Sequence, residues 1–321
     1  YTDAQGTAET VASGGTSPVA SGNQAPFGLN LSAAFIAENK IAGSVVGELS
    51  ASDPDADDVL TYSLVSGEGD TENDSFEIVG SELRAAESFD FETQNQYSIR
   101  VRATDSAGLL TEKAFSIGIS NVNEAPFDLT ISAETITENA VAGSVVGKLT
   151  AADPDAEDVL TYSLVAGEDE SDNDFFEIVG DELRTKMQFD YESKSSYSVR
   201  IRATDTEGSL TEQTFVISVK NVNEVPFDLR LSSHSVLENA AVGTVVGELN
   251  ASDPDADDVL TYSLVSGEGG TDNALFEIVG AELRTKESFN FETQSAYSLR
   301  IGVTDSAGLV TSKTFRISVN D

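Results

Sequence analysis

Asn121-Val122-Asn123-Glu124-Ala125-Pro126 returns as Asn221-Val222-Asn223-Glu224-Val225-Pro226, every position displaced by 100. Each copy follows an alternating apolar run: Phe115, Ile117 and Ile119 before the first, Phe215, Ile217 and Val219 before the second. A plain spacer carries Gly and Ser, whereas these stretches carry side-chain oxygens. They read as junctions between repeats with a chemistry of their own. A partial copy, Asn23-Gln24-Ala25-Pro26-Phe27, opens the first repeat.

The period holds without insertion. Glu38-Asn39, Glu138-Asn139 and Glu238-Asn239 fall in step, as do Asp53-Pro54-Asp55, Asp153-Pro154-Asp155 and Asp253-Pro254-Asp255. A unit of about 100 residues is far longer than an ordinary solenoid repeat, so each copy should be a domain with its own core. The expected division is a flexible leader over 1–22, rich in Gly, Ser, Thr and Ala, then domains over 23–122, 123–222 and 223–321.

Inside a unit the pattern is all-β. Leu60, Tyr62 and Leu64 alternate with Thr61 and Ser63, and Tyr97, Ile99, Val101 and Ala103 alternate with Ser98, Arg100 and Arg102. Further strands are expected near 28–36, 43–50, 76–79, 82–85 and 111–120, and no window carries a helical stripe. Short strands punctuated by Gly, Asp and Asn fit a sandwich of roughly seven strands. Tyr62, Phe76, Phe89, Tyr97 and Phe115 are expected in its core.

Charge narrows the function classes. With 56 Asp+Glu against 18 Lys+Arg the formal charge is -38. Such a surface repels nucleic acid and anionic lipid and attracts divalent cations. Cysteine is absent and His234 is the sole histidine, which removes disulfides and argues against zinc. His234 stands where the second unit has Glu134, as a tolerant surface position would. No apolar run reaches the roughly 18 residues of a membrane span. The chain opens at Tyr1 without a signal-like stretch and closes at Asp321 where a further junction would begin, so a longer natural array is expected.

In the first unit, acidic and amide residues recur at Glu38, at Asp53 and Asp55, at Asp90 and Glu92, at Asp105, and at Asn121, Asn123 and Glu124. All lie at ends of apolar strands, which gather at the poles of a sandwich. Calcium takes six to eight oxygens from carboxylates, amides and carbonyls in irregular geometry, whereas magnesium prefers a regular, partly hydrated octahedron. Packed carboxylates repel one another until a cation draws them together. The acidic loops Glu68-Gly69-Asp70-Thr71-Glu72, Glu168-Asp169-Glu170-Ser171-Asp172 and Glu268-Gly269-Gly270-Thr271-Asp272 vary between copies and read as solvated surface.

The combination of Glu-Asn, Asp-Pro-Asp, Phe-Asp-Phe-Glu or Phe-Asp-Tyr-Glu, Ala-Thr-Asp or Val-Thr-Asp, and Asn-Val-Asn-Glu-Ala-Pro resembles cadherin-type repeats, in particular those of bacterial surface and secreted proteins. The resemblance spans about 23–321. It implies tandem immunoglobulin-like Greek-key β-sandwiches arranged as an elongated rod, with up to three calcium ions at each complete junction. At the first junction it implies an outer ion on Glu38, Asp90, Glu92 and Glu124. A second would share Glu38, Glu92 and Glu124 with the Val122 carbonyl and Asp155. A third would sit among Asn123, Asp153, Asp155, Asp205 and the Ala125 carbonyl, with Asp158 nearby.

The second junction implies Glu138, Asp190, Glu192, Asn223, Glu224, Asp253, Asp255 and Asp305, the Val222 and Val225 carbonyls, and Asp258 in the place of Asp158. The leading edge offers Asn23, Asp53, Asp55 and Asp105 for an isolated ion. Two departures stand out: the family's usual linker is Asp-x-Asn-Asp-Asn, and this chain has Asn121 in the leading place and Glu124 in the later one. At the trailing edge Asn290 replaces the Asp of positions 90 and 190, so weak filling is expected there.

Three functions compete. A calcium-stiffened extracellular stalk, bacterial by this resemblance, is the first expectation, since the three units are highly similar and a specialised recognition surface would be expected to differ in one copy. Calcium-dependent adhesion, to itself or to a polysaccharide, is the alternative; the lack of Trp removes the usual carbohydrate platform and the exchanged-Trp mode. Catalysis is not expected, because the carboxylate pairs recur in every unit without a cleft signature or activated nucleophile.

Overall fold

Alternation with period two gives each repeat strands that have one apolar face, and two such faces must cover each other. In the computed structural model, which describes residues 22–167 and 172–321, they do so as paired four-stranded sheets. The first repeat contains β1 (Phe27–Leu31), β2 (Phe35–Ala37), β3 (Val45–Ser52), β4 (Thr61–Leu64), β5 (Phe76–Val79), β6 (Glu82–Ala85), β7 (Gln96–Thr104) and β8 (Leu110–Ser120). One sheet runs β1-β3-β6-β5 and the other β2-β8-β7-β4, the immunoglobulin-type Greek key. Pairing is antiparallel except for β2 against β8, which is parallel with Phe35 opposite Gly118. The second and third repeats have the same two strand orders. The chain thus consists of tandem β-sandwiches in series.

By internal packing the chain divides into two compact units. One comprises the residues through Ala125 together with Asp153–Asp158; the other comprises Pro126–Ala152 and Val159–Asp321. The first unit holds the first sandwich, its linker and one acidic turn of the second repeat. The second unit holds the other two sandwiches and the linker between them.

The single strand expected at 28–36 is two strands, so among the described residues each sandwich has eight. The chain leaves one sheet at Ser32-Ala33 and joins the other at Phe35. Ser32 N–H donates to the Glu48 carbonyl at 2.9 Å, and Glu48 N–H donates to Ser32 Oγ at 2.8 Å, which fixes the crossing point. Gly47 makes room for it, since a Cβ there would stand 2.5 Å from the Ala33 carbonyl oxygen.

Leu83, Ile99, Val101 and Ile117 are wholly buried in the first core, and Phe76, Phe89 and Tyr97 pack with ring centroids 4.7–5.9 Å apart. Burial of each such side chain is worth about 1.5–3 kcal/mol. Tyr62, Tyr97 and Phe115 pack against this core from partly buried positions, in line with the period-two reading. On the outer face of β7 and β8, Arg100 and Arg102 both donate to Glu112, at 3.0 and 2.9 Å. The third repeat lacks this arrangement: Gly302 and Ser312 stand in the corresponding places.

Glu72 departs from the reading of its loop as solvated surface. Its carboxylate accepts the Ser98 N–H at 2.6 Å, and Asp272 does the same for Ser298 at 2.7 Å. The surface reading of Glu168–Ser171 and the flexible-leader reading up to residue 21 concern residues outside the described ones. His234 is exposed, with its ring 5.8 Å from that of Phe315. Among the described residues no helix is long and apolar enough to cross a membrane.

Candidate metal centres

Glu38 follows β2 directly and is 1% exposed, a costly position for a carboxylate. Two backbone donors offset that cost: Val122 N–H reaches Oε1 and Phe91 N–H reaches Oε2, both at 2.7 Å. The next residue, Asn39, takes a left-handed conformation at φ 59° and sends Nδ2 to Glu124 Oε1 at 2.5 Å. The other oxygen of Glu124, Oε2, is buried and accepts no hydrogen bond. Carboxylate oxygens of Glu38, Glu92 and Glu124 lie within 4.8 Å of one another. Burial, followed by the charges of Glu38, Glu124 and Asp155, pushes the Glu92 carboxyl above its ordinary range.

The acidic turn of the second repeat reaches the same linker. Asp155 accepts Asn121 Nδ2 on Oδ1 at 2.8 Å and Glu124 N–H on Oδ2 at 2.9 Å. Asp153, Asp155 and Asp158 form a neighbouring carboxylate group, in which Asp155 N–H donates to Asp153 Oδ1 at 3.1 Å. Asn123 donates through Nδ2 to the Glu124 carbonyl at 3.1 Å.

The second linker repeats the pattern within its own unit. Glu138 is 3% exposed and accepts Val222 N–H at 2.7 Å and Tyr191 N–H at 2.9 Å. Asn139 holds Glu224 Oε1 at 2.6 Å while Glu224 Oε2 is buried without a partner. Asp255 accepts Asn221 Nδ2 at 2.8 Å and Glu224 N–H at 2.9 Å. Asn223 Nδ2 donates to Asp305 at 2.9 Å, and Asp305 is 5% exposed. Glu192, Glu224 and Asp255 form one carboxylate group, and Glu138, Asp190 and Glu192 another. Burial first, and then neighbouring acids, raise the pKa of Glu192, Glu224 and Asp253.

At the leading pole Asp53, Asp58 and Asp105 group together. Asn23 Nδ2 donates to Asp105 at 2.8 Å and Gln24 N–H to Asp55 at 2.8 Å. Asp105 Oδ1 also accepts the N–H groups of Ala107 and Leu109. Buried oxygens without partners are again present, on Asp53 and Asp58, and at the corresponding Asp253 and Asp258. Asp58 was absent from the expected set although its copies Asp158 and Asp258 were in it; the recurrence of Asp-Pro-Asp-Ala followed by two acids was the available signal. Asn39 and Asn139 were read only as motif letters, and their hold on the linker glutamates appears only in the folded chain.

The expected residues do not all converge equally. Asp190 joins a carboxylate group and, like Asp90, caps its own turn: Asp190 accepts the Ser193 N–H at 3.1 Å and the Ser193 hydroxyl at 2.9 Å, and Asp90 accepts the Thr93 N–H at 3.0 Å and the Thr93 hydroxyl at 2.9 Å. Those bonds hold the Asp90 carboxyl below its ordinary range. Asp205 is 5% exposed, and its Oδ1 accepts the N–H groups of Glu207, Gly208 and Ser209. At the trailing pole Glu238 is only half-buried and accepts Phe291 N–H at 3.2 Å.

Every donor in these groups is an oxygen, and each junction holds a buried carboxylate oxygen with nothing to bond. Hard divalent cations suit such a set. The residues therefore fit a metal ion.

The Cadherin domain family matches residues 32–120, 132–220 and 232–320. Mouse protocadherin Fat 4 is 32% identical over 84% of this chain, and human cadherin-24 is 28% identical over 81%. The chain spans 6% of the first relative and 34% of the second. A crystal structure of mouse cadherin-23 EC22-24 superposes with TM-score 0.66 at 24% identity, covering 92% of this chain and 98% of that one. Protocadherin gamma B2 extracellular cadherin domains 1–5 give TM-score 0.65 at 20% identity, covering 92% of this chain and 60% of that one. These relatives correct the expected kinship with bacterial surface proteins, and with it the bacterial location: they are animal cadherins and protocadherins. With the domain matched three times in succession, in the sandwich fold that such domains adopt, the chain belongs to the cadherin family.

Proposed function

We propose that the chain is a calcium-binding segment of a larger extracellular protein and serves calcium-dependent adhesion, with ions at each linker shared by consecutive repeats. The observation that carries this reading is the linker glutamate. Glu124 and Glu224 each have one oxygen held by an asparagine and one buried oxygen unpartnered, in a ring of acids reached by the next repeat's aspartate. Cadherin repeats are structural and adhesive modules and not enzymes, so the carboxylate pairs need no catalytic role.

An outer ion would be held by Glu38, Asp90, Glu92 and Glu124, and a second by Glu38, Glu92, Glu124, Asp155 and the Val122 carbonyl. Asn123, Asp153, Asp155, Asp158, Asp205 and the Ala125 carbonyl would serve a third. The equivalents at the second linker are Glu138, Asp190, Glu192, Glu224, Asp255 and the Val222 carbonyl, then Asn223, Asp253, Asp258, Asp305 and the Val225 carbonyl. Asn23, Asp53, Asp55 and Asp105 would hold an ion at the leading pole. The ion supplies positive charge that cancels repulsion among the carboxylates. Bending a loaded linker would then stretch metal–oxygen bonds.

The names of the relatives favour adhesion over a passive stalk, and a second copy of the chain is the partner we favour. The stalk remains the second reading, supported by the similarity of the three repeats, for which we propose the boundaries 23–122, 123–222 and 223–321. Calorimetric titration with calcium, together with sedimentation at high protein concentration, tests both. Saturable binding with calcium-dependent self-association is expected. Binding without association would leave the stalk, and no heat at millimolar calcium would end both readings.

A further inference from the structure

We infer that Asn121 and Asn221 are positioning residues that latch the following repeat's aspartate to the linker before any cation arrives. The inference rests on the calcium reading only in what the latch is for. Both oxygens of Asp155 are engaged by the first linker, Oδ1 by Asn121 Nδ2 at 2.8 Å and Oδ2 by Glu124 N–H at 2.9 Å. Asp255 is engaged in the same way, by Asn221 Nδ2 at 2.8 Å and Glu224 N–H at 2.9 Å. The backbone half of this grip recurs at the leading pole, where Gln24 N–H donates to Asp55 Oδ2 at 2.8 Å.

Amide donors are neutral, so they hold a carboxylate without adding to the charge around it. An aspartate at position 121 would set oxygen against oxygen at that distance, among Glu38, Glu92 and Glu124, and without a cation it would drive the turn away. The exposed position of Asn121 and Asn221 means that packing does not demand an amide there. Latching and ion binding are compatible, because an ionised carboxylate has about four acceptor positions and the two amide bonds use two of them. A preset Asp155 also lowers the ordering cost of loading. The asparagines that depart from an all-acidic linker thus serve the metal-free state.

The test uses the full chain with N121D/N221D and, as the conservative control, N121Q/N221Q. Radii of gyration are measured by small-angle scattering in chelator at low salt and at about 1 M NaCl, where the screening length falls to roughly 3 Å. The aspartate variant is expected to expand at low salt and to return toward the wild-type radius at high salt; the glutamine variant, which keeps a donor, stays near wild type. Exchange of the Glu124 and Glu224 amides should quicken about fivefold in the aspartate variant, the factor expected for loss of one hydrogen bond. An aspartate variant with the wild-type radius and exchange rates in low-salt chelator overturns the latch, as does an expansion that salt leaves unchanged. Calcium titration of the wild type separates the two ideas: failure to bind would remove the calcium reading and leave the chelator comparison standing.

Discussion

Glu38 and Glu238 occupy the same place in the repeat, follow the same short strand and precede the same Asn, yet one is 1% exposed and the other half-buried. The difference comes from the linker. Glu38 accepts Val122 N–H as well as Phe91 N–H, both at 2.7 Å, whereas Glu238 accepts Phe291 N–H at 3.2 Å. Glu138, which meets the second linker through Val222 N–H, behaves like Glu38. A sandwich supplies an acidic pole, and the linker that folds over it turns that pole into a buried carboxylate site.

Removing calcium should have the largest effect, because every ion bound at about 100 times its dissociation constant adds ~2.7 kcal/mol to the folded state. Hydrogen exchange should show protection lost at Phe91, Val122, Tyr191 and Val222, with Phe291 nearly unchanged. Equal losses at all five amides would break the comparison. Glu38→Gln comes next: it weakens the acceptor for the Phe91 and Val122 N–H groups and, on the proposed function, removes a shared ligand, a change of about 1–3 kcal/mol in thermal unfolding. Glu238→Gln should cost under ~1 kcal/mol, and matched losses would place the site in the sandwich and not in the linker.

The pH response is smaller and its sign depends on the metal. Glu92, Glu192 and Glu224 have folded pKa values raised above the ordinary 4.5, first by burial and then by neighbouring acids. The stability linked to them is fully present below 4.5 and is lost as pH rises through their raised folded values. In chelator, mild acidification from neutral should therefore raise the melting temperature. With calcium the same acidification should lower it, because protons compete for the ligands. Below the ordinary range a second set takes over: Glu112 and Glu212 are held low by hydrogen bonds from paired arginines, and their contribution disappears as pH falls through those lowered values. The third repeat, with Ser312 in that place, should be spared this loss. A melting profile in chelator that falls steadily from neutral pH would contradict the assignment of strained acids to the linkers.

Much of the fold was legible because its signals are local. Period-two alternation in Tyr97, Ile99, Val101 and Ala103 requires only that neighbouring side chains face opposite ways, and the displacement by 100 can be read without any contact. The crossing at Ser32-Ala33 was hidden, since what separates β1 from β2 is a glycine 14 residues later in the chain, at position 47. The candidate site was legible as a set of residue types at strand ends. Its partners were not: the bond from Asn39 to Glu124 joins residues 85 apart.

The sequence by itself determined the threefold repeat, the β-sandwich class, the acidic poles and the absence of thiol chemistry, because each follows from spacing or composition. Only the tertiary structure decided which acids share a group, which are buried, and which oxygens have no hydrogen to accept. Those properties depend on where a linker's few N–H donors come to rest once two sheets have closed, and that depends on residues far away in the chain.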